Sequence, residues 1–263
     1  MMEQQLITTT MRDKIIYILL FMSFSFYAQG DMLLASRQQS LFVSDAILVL
    51  DPDVYYNPSS IDVSAVSDGD TVTTWEDLGA NGLDATAINS IELNLVGAER
   101  MAQFNGGNSY FDVPESSFLE KQMGTDNFTI ILREGAVVQN TGYYISKADS
   151  NVSNREYGLY ISGNNKGLFG GSTTSFSPTD GTRRLYIVII TGATVDIWVD
   201  GTQVVTDDSV DTVAIQTQSV NIGGRSDGGY MANDGAQMDL ISIIPSAITN
   251  EERLEIEAQF KIN

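Results

Sequence analysis

From residue 46 onward, apolar positions come in short runs broken at intervals of about a dozen residues by Gly, Asn or Asp. "RLYIVIITGATVDIWVDGTQVV" (184–205) shows the pattern most clearly. Leu185 to Thr191 is almost wholly apolar. Thr194 to Val199 then alternates Val195, Ile197 and Val199 inward against Asp196 and Trp198 outward, and Asp200-Gly201 supplies the next turn. Strands are likewise predicted in "DAILVLD" (45–51), "NFTIILREG" (127–135), "TGYYISKAD" (141–149), "REYGLYISGNNKGLFGG" (155–171), "SVNIGG" (219–224) and "QMDLISIIP" (237–245). "AQFNGGNSYFDVP" (102–114) reads as two strands hinged, hairpin-fashion, at Asn105-Gly106-Gly107-Asn108. Many short strands with Gly/Asn turns predict an all-β sandwich or jelly roll. With no repeat or shift in composition, 46–263 is expected to be one domain.

The period changes only at the end. In "AITNEERLEIEAQFKIN", Thr249 is followed three residues later by Glu252, a capping box that predicts a helix start. Leu254 with Ala258, and Ile256 with Phe260, are expected to form one apolar stripe, with Arg253 and Glu257 on the wet side. A helix this short needs a surface to pack on, so its stripe is expected to lie against the sandwich.

The other end carries a different signal. Arg12 and Lys14 precede an apolar run from Ile15 to Phe26, and small residues, Ala28 and Gly30, follow it. That is the pattern of a secretory signal peptide, too short for the ~20 residues of a membrane-spanning helix. Residues 1–30 are expected to be an export signal or N-terminal anchor, with Met11 the more natural start, and 31–45 a linker. Any membrane link is expected only through that segment, if it is uncleaved.

Charge narrows the partners. The chain has 14 basic and 34 acidic side chains, a formal charge of −20. Such an excess repels phosphate backbones and anionic membranes, so nucleic acid is not an expected partner. Cys and His are both absent, which removes disulfides, thiol nucleophiles, the usual zinc ligands and the commonest general base near neutral pH.

Five phrases in order resemble the laminin-G-like, concanavalin A-like jelly rolls of bacterial and phage surface proteins. "GDTVTTWEDLGANGLDAT" (69–86) is similar to their opening signature, with Trp75, Asp77, Leu78, Asn81 and Gly82 in the matching places. "AQFNGGNSYFDVP", "VDIWVDGTQV", "VNIGGRSDGGYMANDGAQMDLISI" and the closing "AITNEER" resemble the later strands, the hairpin, the penultimate loop and the final strand-to-helix phrase. The likeness runs from about residue 46 to 261. It departs at Gly79-Ala80-Asn81, where the family usually has Ser-Gly-Asn, and at Ile244-Pro245, where an aromatic is usual. What the resemblance implies is a concanavalin A-like antiparallel sandwich with a short C-terminal helix, a recognition role, and often a Ca²⁺ ion held by loops.

Three kinds of chemistry are open to such a fold. Laminarinase-type glycoside hydrolases of similar fold place Glu, Asp and Glu at alternate positions of one strand; no such run occurs, and Asp196 and Asp200 are four apart with Asp200 in a turn. The chain is therefore expected not to be an enzyme. For Ca²⁺, Asp227, Asn233 and Asp234 in one loop, and Asp51 and Asp53 in another, are the candidate ligands, although the same residues suit ordinary turns. For a glycan, the candidate platforms are Tyr55, Tyr56, Tyr110, Trp198 and Tyr230, with Asn57, Asn108, Asp227 and Asn233 nearby in sequence. Trp75 is expected in the core, and Tyr143, Tyr144, Tyr157 and Tyr160 fit either place.

Two functional expectations follow. One is a secreted, non-catalytic recognition or adhesion module for a carbohydrate or surface glycoprotein. The other is a structural or decoration protein of a virion or envelope assembly, held by residues 1–45 and contacting other protein chains.

Overall fold

The computed structural model describes residues 45–62, 64–97, 99–105, 108–135, 141–148, 155–162, 165–170, 172–176, 182–215, 217–224 and 235–260. Within them, the apolar run at 184–191 forms β12 (Arg184–Thr191), and both of its faces are buried. Tyr186, Val188 and Ile190 enter one core; Leu185, Ile187 and Ile189 enter a second. Each such side chain contributes about 1.5–3 kcal/mol by leaving water. A strand with two cores must lie between two layers, and that sets the architecture.

The first sheet is antiparallel. It runs in the order β14 (Thr202–Ser209), β13 (Thr194–Val199), β12, β7 (Asn127–Glu134), β16 (Ala236–Ile244), β5 (Glu99–Phe104), β4 (Ile91–Val96), with β1 (Val54–Tyr56) also paired to β16. The second sheet runs β11 (Ser172–Phe176), β10 (Asn165–Gly170), β9 (Arg155–Ser162), β8 (Thr141–Ala148), β15 (Val220–Ile222), β6 (Tyr110–Val113), β3 (Ala85–Ile88), β2 (Thr74–Trp75). The main core fills the gap between them, with Trp75 stacked against Tyr56 and Phe111 at 5.6 and 5.4 Å. Two antiparallel sheets face to face make an all-β sandwich, as the strand pattern predicts.

The opening signature works as a loop organiser. The Asp77 carboxylate accepts backbone N–H groups of Tyr55 (2.8 Å), Gly79 (2.8 Å) and Leu83 (2.9 Å), while Asn81 Nδ2 donates to Asp53 O (2.9 Å). Trp75 Nε1 donates to Asn57 O (2.9 Å), so the indole is buried and satisfied.

Three local expectations are corrected. "DAILVLD" is not a strand: Asp45 accepts the Ile47 N–H at 3.0 Å, Leu48–Leu50 forms one 3₁₀ turn, and Leu48 and Val49 face solvent. An Asp that captures a backbone N–H two residues on diverts the chain from sheet pairing. The two strands of 102–114 are not a hairpin either, because β5 belongs to the first sheet and β6 to the second.

The third correction is the helix stripe. Helix α1 (Asn250–Phe260) starts with the expected box: Thr249 N donates to Glu252 Oε2 at 2.6 Å and Glu252 N to Thr249 Oγ1 at 3.3 Å. Its buried residues are Arg253, Ile256, Glu257 and Phe260, whereas Leu254 is 51% exposed. Spacings of three, four and seven define one helical face; Leu254 and Ala258 fall on another. Ile256 and Phe260 close the second core against the first sheet. Arg253 pairs with Glu257 and lies over the Trp198 ring at 4.9 Å, so its stem and plane do apolar work. No described helix is long and apolar enough to cross a membrane.

Bulges place the buried polar groups. In β8 the pairing jumps from Tyr143↔Tyr160 to Ile145↔Leu159, in β9 from Tyr157 to Arg155, and in β16 from Met238 to Leu240. The extra residues are Tyr144, Glu156 and Asp239, and each reaches a buried partner. Glu134 accepts bonds from Tyr144, Tyr186 and Lys166 between the sheets. Burial and the neighbouring Glu134 charge push both tyrosine hydroxyls far above their ordinary range, so they remain donors. Glu156 pairs with Lys147 at 3.2 Å. Asp239 takes Arg133 in a two-point bond at 2.8 and 2.9 Å, and Arg133 also donates to Phe260 O at 3.2 Å, fastening the last turn of α1.

Candidate functional site

The outer face of the first sheet is covered by α1, the turn at Leu48–Leu50 and their apolar side chains. The outer face of the second sheet follows from alternation alone. Phe111 and Val113, Val220 and Ile222, Tyr157 and Leu159, and Leu168 all enter the main core. Their neighbours must point the other way. Those neighbours are Tyr110, Asp112, Asn221, Gly158, Tyr160 and Gly167.

Register then aligns them. Thr86 pairs with Asp112, Asp112 with Asn221, Asn221 with Ser146, and Ser146 with Gly158. This polar row crosses five strands, roughly 19 Å at the usual strand spacing. Asn221 Nδ2 donates to Asp112 Oδ1 at 3.0 Å, and Ser146 Oγ donates to Gly224 O at 2.7 Å. Asn221 is only 1% exposed, yet its Oδ1 meets no hydrogen-bond donor.

Beside the row lie the tyrosines. Tyr143 pairs with Tyr160, their rings 6.0 Å apart, and Tyr160 pairs with Gly167. A Cβ at Gly167 would meet the Tyr160 ring at 2.6 Å, so that ring lies directly over the glycine backbone. Tyr110 stands on the same face as Asp112, two residues away. Partial burial and the Asp112 charge push its hydroxyl up from its ordinary range, which keeps it a donor. The result is a strip of rings and short polar groups in which the Tyr160 ring fills the space over Gly167 and Asn221, Ser146 and Tyr143 are buried.

The sequence candidates scatter around this strip. Tyr110 belongs to it. Tyr55 and Tyr56 have no exposed surface: Tyr55 donates to Asp45 Oδ2 at 2.5 Å and Tyr56 to Leu83 O. Neither offers a ring face to a ligand. Asn57 caps the 3₁₀ turn Pro58–Ser60, accepting the Ser59 N–H at 2.8 Å, and its amide donates to Tyr55 at 3.2 Å. Trp198 lies beneath Arg253 of the helix, on the opposite side of the molecule's layers. Asn108 takes a left-handed turn, with its carbonyl bonded by Asn89 at 2.8 Å. Asp51 ends the Leu48–Leu50 turn at φ 50°, and Asp53 pairs with Lys121 at 2.7 Å. Burial raises the Asp53 carboxyl above its usual range, against the opposing pull of Lys121. Tyr230, Asp227, Asn233 and Asp234 lie outside the described residues. Among the described residues, no three acidic or metal-binding side chains converge as a cage. Asp200 bonds Arg184 and the Leu185 N–H, and Asp196 bonds Gln203 and the Asp207 N–H.

Asp112, Ser146, Gly158, Gly167 and Asn221 were not foreseen. Their signal is present in "SYFDV", "YGLYI" and "VNIGG", where core residues alternate with these positions. Of the four ambiguous tyrosines, Tyr144 and Tyr157 lie in the main core, Tyr143 is buried with Ala148 in a small cluster on the outer side of the second sheet, and Tyr160 packs half-buried against it.

No protein-family model matches this chain, and no curated protein does. Solved structures do match in shape. The Trypanosoma rangeli sialidase in complex with sialic acid superposes with a TM-score of 0.55 at 14% identity, covering 79% of this chain and 33% of that one. The botulinum neurotoxin serotype D ligand binding domain in complex with N-acetylneuraminic acid gives 0.58 at 9%, covering 82% and 53%. The binding domain of Paraclostridial Mosquitocidal Protein 1 gives 0.55 at 10%, covering 74% and 51%. The chain spans about a third of the sialidase and about half of each toxin domain, and at these identities the likeness is one of fold: an all-β sandwich.

Proposed function

We propose that this chain is a non-catalytic recognition module that binds carbohydrate, free or on a surface glycoprotein, along the outer face of its second sheet. The observation that carries this is the set of residues on that face that keep accessible surface, Thr86, Tyr110 and Asp112 near one edge and Tyr160 three strands away, around the buried Asn221, Ser146 and Tyr143. A sugar ring has a C–H face that stacks on tyrosine and an edge of hydroxyls that bonds short polar groups; Tyr110 and Asp112, two residues apart on one strand, supply both. The non-catalytic part of this reading rests on the sequence, which lacks the alternating Glu, Asp and Glu run of laminarinase-type hydrolases. Sandwiches of like shape include a sialidase bound to sialic acid and a toxin domain bound to N-acetylneuraminic acid, which supports a saccharide as the ligand class. The laminin-G-like phrases and the signal-like residues 1–30 fit a module exported and displayed outside its cell.

A glycan array probed with the purified full chain tests this. Wild type is expected to retain discrete hits that Tyr160→Ala and Tyr110→Ala each weaken about tenfold or more, with melting curves showing both variants folded. A folded wild-type chain with no hits, or hits untouched by both substitutions, removes the proposal.

A further inference from the structure

We infer that Lys166 and Glu134 are joined by an amide bond, made by the folded chain itself, that staples the two sheets together through the main core.

Both groups stand on strands whose neighbouring inward residues are core. Glu134 ends β7 on the face of Ile130 and Leu132, and Lys166 lies on β10 on the face of Leu168, so they meet between the sheets from opposite sides. Lys166 is 2% exposed and Glu134 5%, and they form an ion pair there. The ring centroids of Tyr186 and Tyr144 lie 4.4 and 5.3 Å from Lys166 Nζ and wall it off from water. Amine and carboxyl are thus held together in one dry space, and a chance encounter becomes a fixed one.

Water opposes amide formation in solution, because it hydrates both ions and is itself the product in excess. Neither obstacle survives in this core. Two buried charges are costly, and the amide removes both at once. One proton passes from the ammonium to the carboxylate, which gives a neutral amine and acid. Lys166 Nζ then attacks Glu134 Cδ. The Nζ–Cδ bond forms, the bond from Cδ to one carboxyl oxygen breaks, and that oxygen leaves with two protons as water. Nothing is oxidised or reduced, and no co-reactant is needed. The negative charge of the tetrahedral intermediate falls on the carboxyl oxygens, and each already has a phenol donor: Tyr186 bonds Oε1 and Tyr144 bonds Oε2. Burial keeps both phenols protonated, so they can donate as that charge develops.

The other fully buried pair supplies an internal control. Lys147 and Glu156 lie on neighbouring strands of one sheet, and the backbone occupies both. Lys147 Nζ donates to Leu119 O at 3.2 Å, and Glu156 Oε1 accepts the Lys121 N–H at 2.5 Å. This pair is expected to stay ionic. The Lys166–Glu134 link differs in what it would do: its residues are 32 positions apart and on different sheets. Closing a loop of that length restricts the unfolded chain as a disulfide would, in a protein without Cys.

Denaturing mass spectrometry of the purified full chain, followed by a proteolytic peptide map, is the test. The expected chain is one water lighter than its residues, with a branched peptide in which Lys166 is joined to Glu134. Lys166→Arg keeps the positive charge but cannot form the amide. It is expected to show the full mass and to melt roughly 10 °C lower. Recovery of Glu134 and Lys166 in separate, unmodified peptides from the folded wild type overturns the inference, whatever the variant does. So does a missing water that persists in Lys166→Arg, or a branch at Lys147 and Glu156 in its place.

Discussion

The two outer faces of this sandwich begin from the same local rule and reach opposite ends. On the first sheet, the residues turned away from the main core are Ile131, Leu185, Ile187, Leu240 and Ile244, an apolar set that must be covered. Helix α1 covers it, held by its Thr249–Glu252 box at one end and by Arg133 at the other. On the second sheet the equivalent positions are Tyr110, Asp112, Asn221, Ser146, Gly158 and Tyr160; Asn221, Ser146 and Gly158 are buried there too, while Tyr110, Asp112 and Tyr160 keep accessible surface. Apolar area drives the covering of the first face, whereas hydrogen bonds, Asn221 to Asp112 and Ser146 to Gly224 O, satisfy the buried part of the second. The difference teaches where to look for function: at the polar and tyrosine positions that keep accessible surface and are not spent on packing.

This contrast can be broken most severely at its buried charge. Asp239→Ala leaves Arg133 buried without its carboxylate, leaves Arg183 with Glu99 alone and unfastens the helix, so a loss of about 3–5 kcal/mol and roughly 10 °C in melting temperature is expected. A melt within a degree or two of wild type would mean the helix face is not held as described.

The helix itself gives a sharper comparison. Ile256→Ala is expected to destabilise by about 2–5 kcal/mol, and Leu254→Ala by about 0.5 kcal/mol or less, measured by denaturant unfolding. Equal effects would restore the single apolar stripe expected from sequence.

On the outer face of the second sheet the balance should reverse. Gly167→Ala drives a methyl into the Tyr160 ring, which must swing away. A stability change of about 1 kcal/mol with a loss of glycan binding about tenfold is expected; unchanged binding would separate Tyr160 from the site.

The smallest effect belongs to neither face. Hydroxyls of Thr73 and Ser64 and nearby N–H groups hold the Asp62 carboxyl down at about 2, below its ordinary 3.8. A folded-state value below the unfolded one means stabilisation present above about pH 4 and lost as pH falls toward 2. Because Asp62 is near the surface, about 0.5 kcal/mol or less is at stake. Asp62→Asn should flatten that stretch of the acid melt, and an unaltered slope would assign it to other carboxylates.

Much of this was readable in one dimension. The alternation in 194–199 named the inward Val195, Ile197 and Val199 correctly, the Thr249–Glu252 box located the helix start, and Trp75 was placed in the core. Those features depend on neighbours a few residues away, and local chemistry is written in order along a chain. Tyr144 and Ile145 show where that ends: adjacent in the strand, they both enter the main core because a bulge at Tyr144 adds one residue and breaks the alternation. Tyr55 and Tyr56, taken for platforms, are buried because β1 is roofed on both faces, which no property of the tyrosines reveals.

What the residues alone determined is the all-β character with the longer strands such as β7, β12, β13 and β16, the closing helix and the negative charge, since each follows from periodicity, capping or a sum. Which sheet a strand joins was settled only by tertiary packing, as β5 and β6 show by parting after a turn that reads like a hairpin. So was the choice of which outer face the helix covers, because that helix packs on strands far from it in sequence. The site exists because register, a long-range property, brings Asp112, Asn221 and Ser146 from three distant segments into one row.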